Sequence, residues 1–212
     1  MNSFYHEQLY RTREVMARLR DFPVTVCGAG ALGANIVDSL ARTGLTRLRV
    51  VDRDRIEARN LSTQPFYRAD VGAFKATMLG NVLYRALGVE VDARSEDLTA
   101  GNARKFLRES ALVVDAFDNS VSRRVVKEYC ESAGVACLHA GLAGDYAEVV
   151  WNEVYRVPSA AQDDVCDYPL ARNLVTLAVA VTCETIVDFI TTGARRSHTI
   201  TLRDFAVRAY KQ

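Results

Sequence analysis

The stretch VTVCGAGALGANIVDSLARTG, Val24–Gly44, decides how the rest of the chain reads. A short apolar run, VTVC, enters a glycine-rich turn, and ALGANIVDSLART then carries apolar residues at helical spacing up to Gly44. LTRLRVVD, Leu45–Asp52, supplies a second strand, so the stretch predicts a βαβ unit. Gly28, Gly30 and Gly33 are spaced G-x-G-x-x-G at its strand-to-helix turn. Glycines there allow a tight turn and leave backbone N–H groups and a helix N-terminus facing phosphate. Asp52 ends the second strand, roughly twenty residues on, where a carboxylate accepts both ribose hydroxyls. A turn that only packs helix on strand would use the same glycines, and at this point NAD and ATP fit equally well.

Working outward, the alternation continues. GAFKATMLGNVLYRALG reads as a helix, VEVDAR as a strand, AGNARKFLRES as a short helix and ALVVDAFDN as a buried strand. VSRRVVKEYCESAG and VACLHAGL repeat the pair. Past Gly144 the rhythm changes: YAEVVWNEVYRV reads as one longer strand, PSAAQDDVCDYP as a loop, then a long apolar helix and the alternating SHTITLRDFAV. The expectation is an α/β fold: a doubly wound, mostly parallel, Rossmann-like sheet with a few antiparallel C-terminal strands, binding ligand outside the strands' carboxyl ends. Residues 1–212 read as one domain, with 1–22 a polar, arginine-rich helical arm outside the core. Hydrophobic residues at 49%, charged residues at 25% and a net charge of +1 suit a soluble globular chain and advertise no nucleic-acid partner. Thr176, Thr182, Cys183 and Glu184 interrupt the longest apolar run and no basic-then-apolar leader is visible, so the expected location is cytoplasmic, without membrane. The odd cysteine count, five, also favours a reducing compartment.

The nucleotide choice turns on VVDRDRIEARNLSTQ, Val50–Gln64, with GAFKA and LVVDAFDN after it. Together these resemble the ubiquitin-activating-enzyme-like superfamily, the ThiF, MoeB and HesA relatives, over roughly residues 23 to 145. That family shows D-x-D-x-(V/I)-x-x-x-N-L-x-R-Q, a later lysine, and an aspartate-asparagine pair after a further strand. Asp52, Asp54, Asn60, Leu61, Gln64, Lys75, Asp118 and Asn119 match it. The resemblance implies an adenylyltransferase that uses Mg·ATP to activate a carboxyl group, favouring the C-terminal glycine of a small ubiquitin-like or sulfur-carrier protein. It implies Asp52 on the ribose, Asn60 and Lys75 on phosphates, Asp118 on Mg²⁺, and Asp54, Gln64 and Asn119 around the nucleotide. It also implies a homodimer in which an arginine from the partner's N-terminal segment enters the site; LYRTRE offers Arg11 and Arg13.

The chemistry suits those residue types. Bringing a carboxylate to an α-phosphate joins two anions, so cations, metal and positioning matter most. A terminal carboxyl, pKa about 3.5, is already ionised and needs no general base. His6, His139 and His198 all lie outside the motifs. Arg53, Arg55, Glu57 and Arg59 read as a solvated loop. One departure stands out: Thr63 occupies the family's arginine position, and a hydroxyl does not neutralise phosphate. Arg59 or Arg68 are the sequence's candidates to compensate; failing that, a non-catalytic subunit of a dimer is the alternative, with an NAD-dependent oxidoreductase third. Cys27, Cys130, Cys137 and Cys183 read as core residues and no C-x-x-C pair suggests zinc. Cys166 sits in the loop before the last long helix, roughly where thioester-forming relatives keep their thiol, but Asp163, Asp164 and Asp167 oppose thiolate formation.

Overall fold

The computed structural model describes residues 3–159 and 169–211. The chain runs α1 (Tyr5–Arg11), α2 (Arg13–Asp21), β1 (Val24–Cys27), α3 (Ala31–Thr43), β2 (Leu48–Val51), α4 (Lys75–Leu87), β3 (Asp92–Arg94) and α5 (Ala103–Leu107). It continues β4 (Leu112–Asp115), α6 (Ser120–Ala133), β5 (Ala136–Ala143), β6 (Tyr146–Trp151), α7 (Arg172–Thr192), β7 (His198–Thr201) and β8 (Ala206–Ala209). These strands form one sheet in the order β3-β2-β1-β4-β5-β6-β7-β8. The first five are mutually parallel, and β6, β7 and β8 are added antiparallel, the class expected from the sequence. Every residue of β1 and β4 is buried, which explains why the central strands read as mostly apolar runs, Thr25 and Asp115 apart. From β1 the chain builds outward to β2 and β3, then returns to β4 on the other side. The carboxyl ends of β1 and β4 therefore flank the crevice where such a sheet binds ligand.

Helices α3 and α7 pack against each other on one face of the sheet. α3 buries Ile36, Val37, Leu40 and Ala41 and stops at Gly44, whose φ of +109° suits glycine. By length and composition α7 could cross a membrane, yet half of its apolar window is buried in the domain. Leu174, Val175, Ala178, Val179, Cys183 and Ile186 make that buried face. Cys27, Cys130, Cys137 and Cys183 are free and buried, as read.

Several boundaries differ from the sequence reading: SHTITLRDFAV forms two strands, β7 and β8, α4 and β3 start later than read, and two further differences change what packs on the core. The N-terminal segment is not a detached single helix. It breaks at Thr12, which has φ +70° and accepts the Val15 N–H at 3.5 Å. Met16 and Leu19 then enter the core, with Met16 over Gly44. The arginines on α2's exposed face masked this narrow apolar stripe. The strand expected over residues 146–157 ends at Trp151, because Val154 and Tyr155 turn back to donate to the Trp151 carbonyl.

Candidate nucleotide and acceptor site

Beyond the crevice lies a cavity of about 1050 Å³. Its floor begins at the β1–α3 turn. Gly28 has φ +94°, and a Cβ there would come within 3.0 Å of the Ala116 carbonyl, so the turn presses on the end of β4. Gly30 precedes α3, supplies no side-chain cap and has open space where a Cβ would stand, so the first N–H groups of α3 face the cavity. Gly33 differs: its Cβ would fall 1.9 Å from the Gly28 carbonyl. It lets helix and turn touch, and it does not line the cavity.

Asp52 is buried at the cavity edge, where its Oδ2 accepts the Ala29 N–H at 2.6 Å and its Oδ1 the Asp54 N–H at 2.7 Å. Each oxygen keeps a lone pair for a hydroxyl. Burial raises its pKa, partly offset by the Ala29 bond and the charge of Lys75. Lys75, the first residue of α4, is buried yet lines the cavity, and its Nζ lies 3.2 Å from the Asp54 carboxylate. Asp118 is exposed on the opposite wall, and its carboxylate has no hydrogen bond or ion pair among the described residues.

Other sequence candidates occupy different roles. Asn60 does not line the cavity: its Oδ1 accepts the Glu57 N–H at 2.9 Å and closes a 3₁₀ turn, Ala58–Ser62. Gln64 is also outside the lining, buried, with an Oε1 that finds no donor. Asn119 lines the cavity but caps α6, accepting the Ser122 N–H at 2.8 Å. Arg55 stacks over the Phe74 ring and Arg59 pairs with Glu57 at 2.7 Å, both exposed as read. Arg53, read as loop, instead lines the cavity while pairing with Asp97 at 3.0 Å. Arg11 is held within its own chain by Glu7 and Glu184. Cys166 and the flanking aspartates lie outside the described residues.

The far end of the cavity was not legible from motifs. Arg123, Gly141, Glu148, Tyr155 and Pro158 line it. Arg123 donates to the Tyr155 hydroxyl at 2.9 Å and the Ala140 carbonyl at 3.1 Å, and stands 3.7 Å from the fully buried Asp115. Behind it, the His139 ring stacks on Tyr155 at 3.7 Å, with Nδ1 2.8 Å from Asp115 and Nε2 2.6 Å from Asn152 Oδ1. Burial works to raise the Asp115 pKa, but the Arg123 charge and the His139 bond outweigh it and hold it low. Burial raises Glu148 and pushes Tyr155 up to about 12, in both cases against the pull of Arg123. The one sequence signal for this array was a polar residue, His139, inside an otherwise apolar strand.

A model of the ThiF family matches residues 5–191. A sulfur carrier protein adenylyltransferase of Thermus thermophilus is 39% identical over 130 residues, covering 58% of this chain and 48% of that protein. A sulfur carrier protein ThiS adenylyltransferase of Bacillus subtilis is 29% identical over 133 residues, covering 61% and 40%. The chain thus spans less than half the length of these curated relatives. Among solved structures, E. coli MccB with ATP has a TM-score of 0.81 at 19% identity, covering 100% of this chain and 71% of that one. At that identity the likeness is one of fold.

Proposed function

The chain belongs to the ThiF family, and from that premise we propose that it is an adenylyltransferase. On this reading it uses ATP to convert a carboxyl group, the C-terminal glycine of a small ubiquitin-like or sulfur-carrier protein, into an acyl-adenylate with release of pyrophosphate. The names of the two adenylyltransferase relatives support that acceptor class. The observation that carries the reading is that one cavity joins the glycine turn, Asp52, Lys75 and Asp118 to a second end at Arg123 and Gly141. Nucleotide and acceptor chain end have room side by side.

The reaction joins the carboxylate oxygen to the α-phosphorus and breaks the bond to pyrophosphate, with no proton to move. The protein therefore orients and screens. Asp52 positions the ribose, the first N–H groups of α3 face phosphate, and Lys75, already paired with Asp54, offsets charge. Mg²⁺ fits the wall opposite: it takes one or two carboxylates plus substrate phosphates, and Asp118 presents a carboxylate with no protein partner among the described residues. Bound there, the ion would neutralise phosphate charge.

Thr63 is the observation favouring a non-catalytic subunit instead. Two measurements decide. ATP with Mg²⁺ raises the melting temperature while NAD does not. Lys75→Ala and Asp118→Ala each lower acceptor-dependent ATP–pyrophosphate exchange by about 10²-fold or more with the fold intact. Stabilisation by NAD alone removes adenylation; unchanged exchange in both variants turns the reading to the non-catalytic subunit.

A further inference from the structure

We propose that Arg172, the first residue of α7, supplies the phosphate-facing guanidinium that Thr63 lacks; this rests on the adenylation reading. Arg172 Nη1 donates to the Thr63 carbonyl at 2.8 Å and lies 3.5 Å from Asn35 Oδ1. Asn35 Nδ2 donates to the same carbonyl at 2.7 Å and to the Ala31 carbonyl, also at 2.7 Å. Ala31 lines the cavity. A guanidinium carried by a residue distant in sequence is thus anchored on the backbone of the very position where the family pattern has its arginine; it stands outside the cavity lining, linked to it through Asn35, one helical turn from Ala31.

Four other cations, Arg59, Arg53, Arg11 and Arg55, are engaged. Arg59 pairs with Glu57, Arg53 with Asp97, and Arg11 with Glu7 and Glu184. Arg55 lies over Phe74. Arg68, a sequence candidate, is exposed and makes no bond to this loop among the described residues. Arg172 makes no ion pair among the described residues; its bonds go to neutral oxygens. It also begins a helix of 21 residues, where the backbone dipole disfavours a cation. Anchored without an acid and at the wrong end of a helix, this guanidinium is electrostatically suited to receive an anion. A charge-assisted bond to phosphate is roughly twice as strong as one to a neutral carbonyl, and the planar fork holds one carbonyl while reaching a phosphate. Next to Thr63, Gln64 keeps a buried Oε1 without a donor, which a guanidinium moving inward would satisfy. The anion is the β- and γ-phosphate portion of ATP, the pyrophosphate that leaves.

The test compares ATP with AMP, which lacks those phosphates, by ligand-induced thermal shift and by the KM for ATP in pyrophosphate exchange. Arg172→Gln weakens ATP about ten- to a hundredfold, the scale of a lost charged hydrogen bond, and leaves AMP within about twofold. Adding Thr63→Arg to Arg172→Gln restores ATP affinity, and restores more there than it adds to the unaltered protein. Arg172 is exposed, so the ligand-free melting temperature stays put and separates misfolding from lost binding. Equal losses for ATP and AMP, or no change for ATP, overturn the proposal. If the unaltered protein ignores ATP altogether, the adenylation reading falls and this inference with it; if it binds ATP and Arg172→Gln binds equally well, this inference alone falls.

Discussion

The two ends of the cavity are made of different material. The nucleotide end comes from residues close in sequence and rests on backbone: Ala29 and Asp54 N–H groups on Asp52, the glycine turn against Ala116, Lys75 beside Asp54. The acceptor end gathers Asp115, Arg123, His139, Asn152 and Tyr155 from separate strands, a helix and a turn, and rests on buried side-chain charge. The first can be remodelled one side chain at a time provided Gly28 and Gly33 stay. The second stands or falls as a unit, because removing one partner leaves another charge buried alone.

The largest expected effect tests that unity. Arg123→Met leaves Asp115 without its cation and destabilises the fold by about 3–5 kcal/mol in urea unfolding, the usual cost of breaking a buried pair. The pH dependence has a definite sign. The folded Asp115 pKa is depressed, so its stabilisation is present above the unfolded value, about 3.9, and is lost as pH falls through the lower folded value. The gap between wild type and variant should therefore be widest near neutral pH and shrink below about pH 4. A loss under about 1 kcal/mol at pH 7 would mean that Tyr155 and His139 hold the array without Arg123, and the contrast between the two ends would dissolve.

At the nucleotide end the contrast predicts opposite outcomes for two neighbouring glycines. Gly33→Ala drives a methyl into the Gly28 carbonyl and costs about 1–3 kcal/mol or more, as overpacking does. Gly30→Ala meets nothing within 4 Å, so its thermal stability stays within about 0.5 kcal/mol of wild type, as for other substitutions away from packed features. Similar losses at both positions would show that the turn is strained throughout and not only where the helix touches it.

That division also marks what the sequence could reveal. Period and punctuation carried the fold, since central strands buried on both faces read as VTVC and LVVD, and Gly44, Gly88 and Gly134 closed helices where they stood. Asp52 was legible from its place at the end of the second strand, whereas Lys75 and Asp118 were legible only through the family pattern they match; all three line the cavity. Arg123 and His139 were not legible, because only the register of β4 against β5 places His139 beside Asp115. Arg172 was hidden for the same reason, since its partner Thr63 lies on the far side of the sequence. Asn60 also matches the family pattern, and here its side chain closes a local turn outside the cavity lining.

Asn60 therefore gives the smallest effect and the sharpest one. If Asn60 is a cap, Asn60→Ala frees the Glu57 N–H and costs about 1 kcal/mol, the usual value for a lost capping side chain. Exchange activity should then fall less than tenfold, through a loosened loop that still carries Thr63 and its bond to Arg172. If the amide instead turns to a phosphate once ATP arrives, the ligand-free protein still loses the cap, but exchange drops about 10²-fold and ATP raises the variant's melting temperature less than it raises that of the unaltered protein. Measuring both quantities on one variant separates the roles, since a cap alone moves the ligand-free melting curve and a phosphate ligand also moves the rate and the response to ATP. A large rate loss with a diminished response to ATP would place Asn60 among the groups that act on ATP and extend the backbone-built end by one side chain.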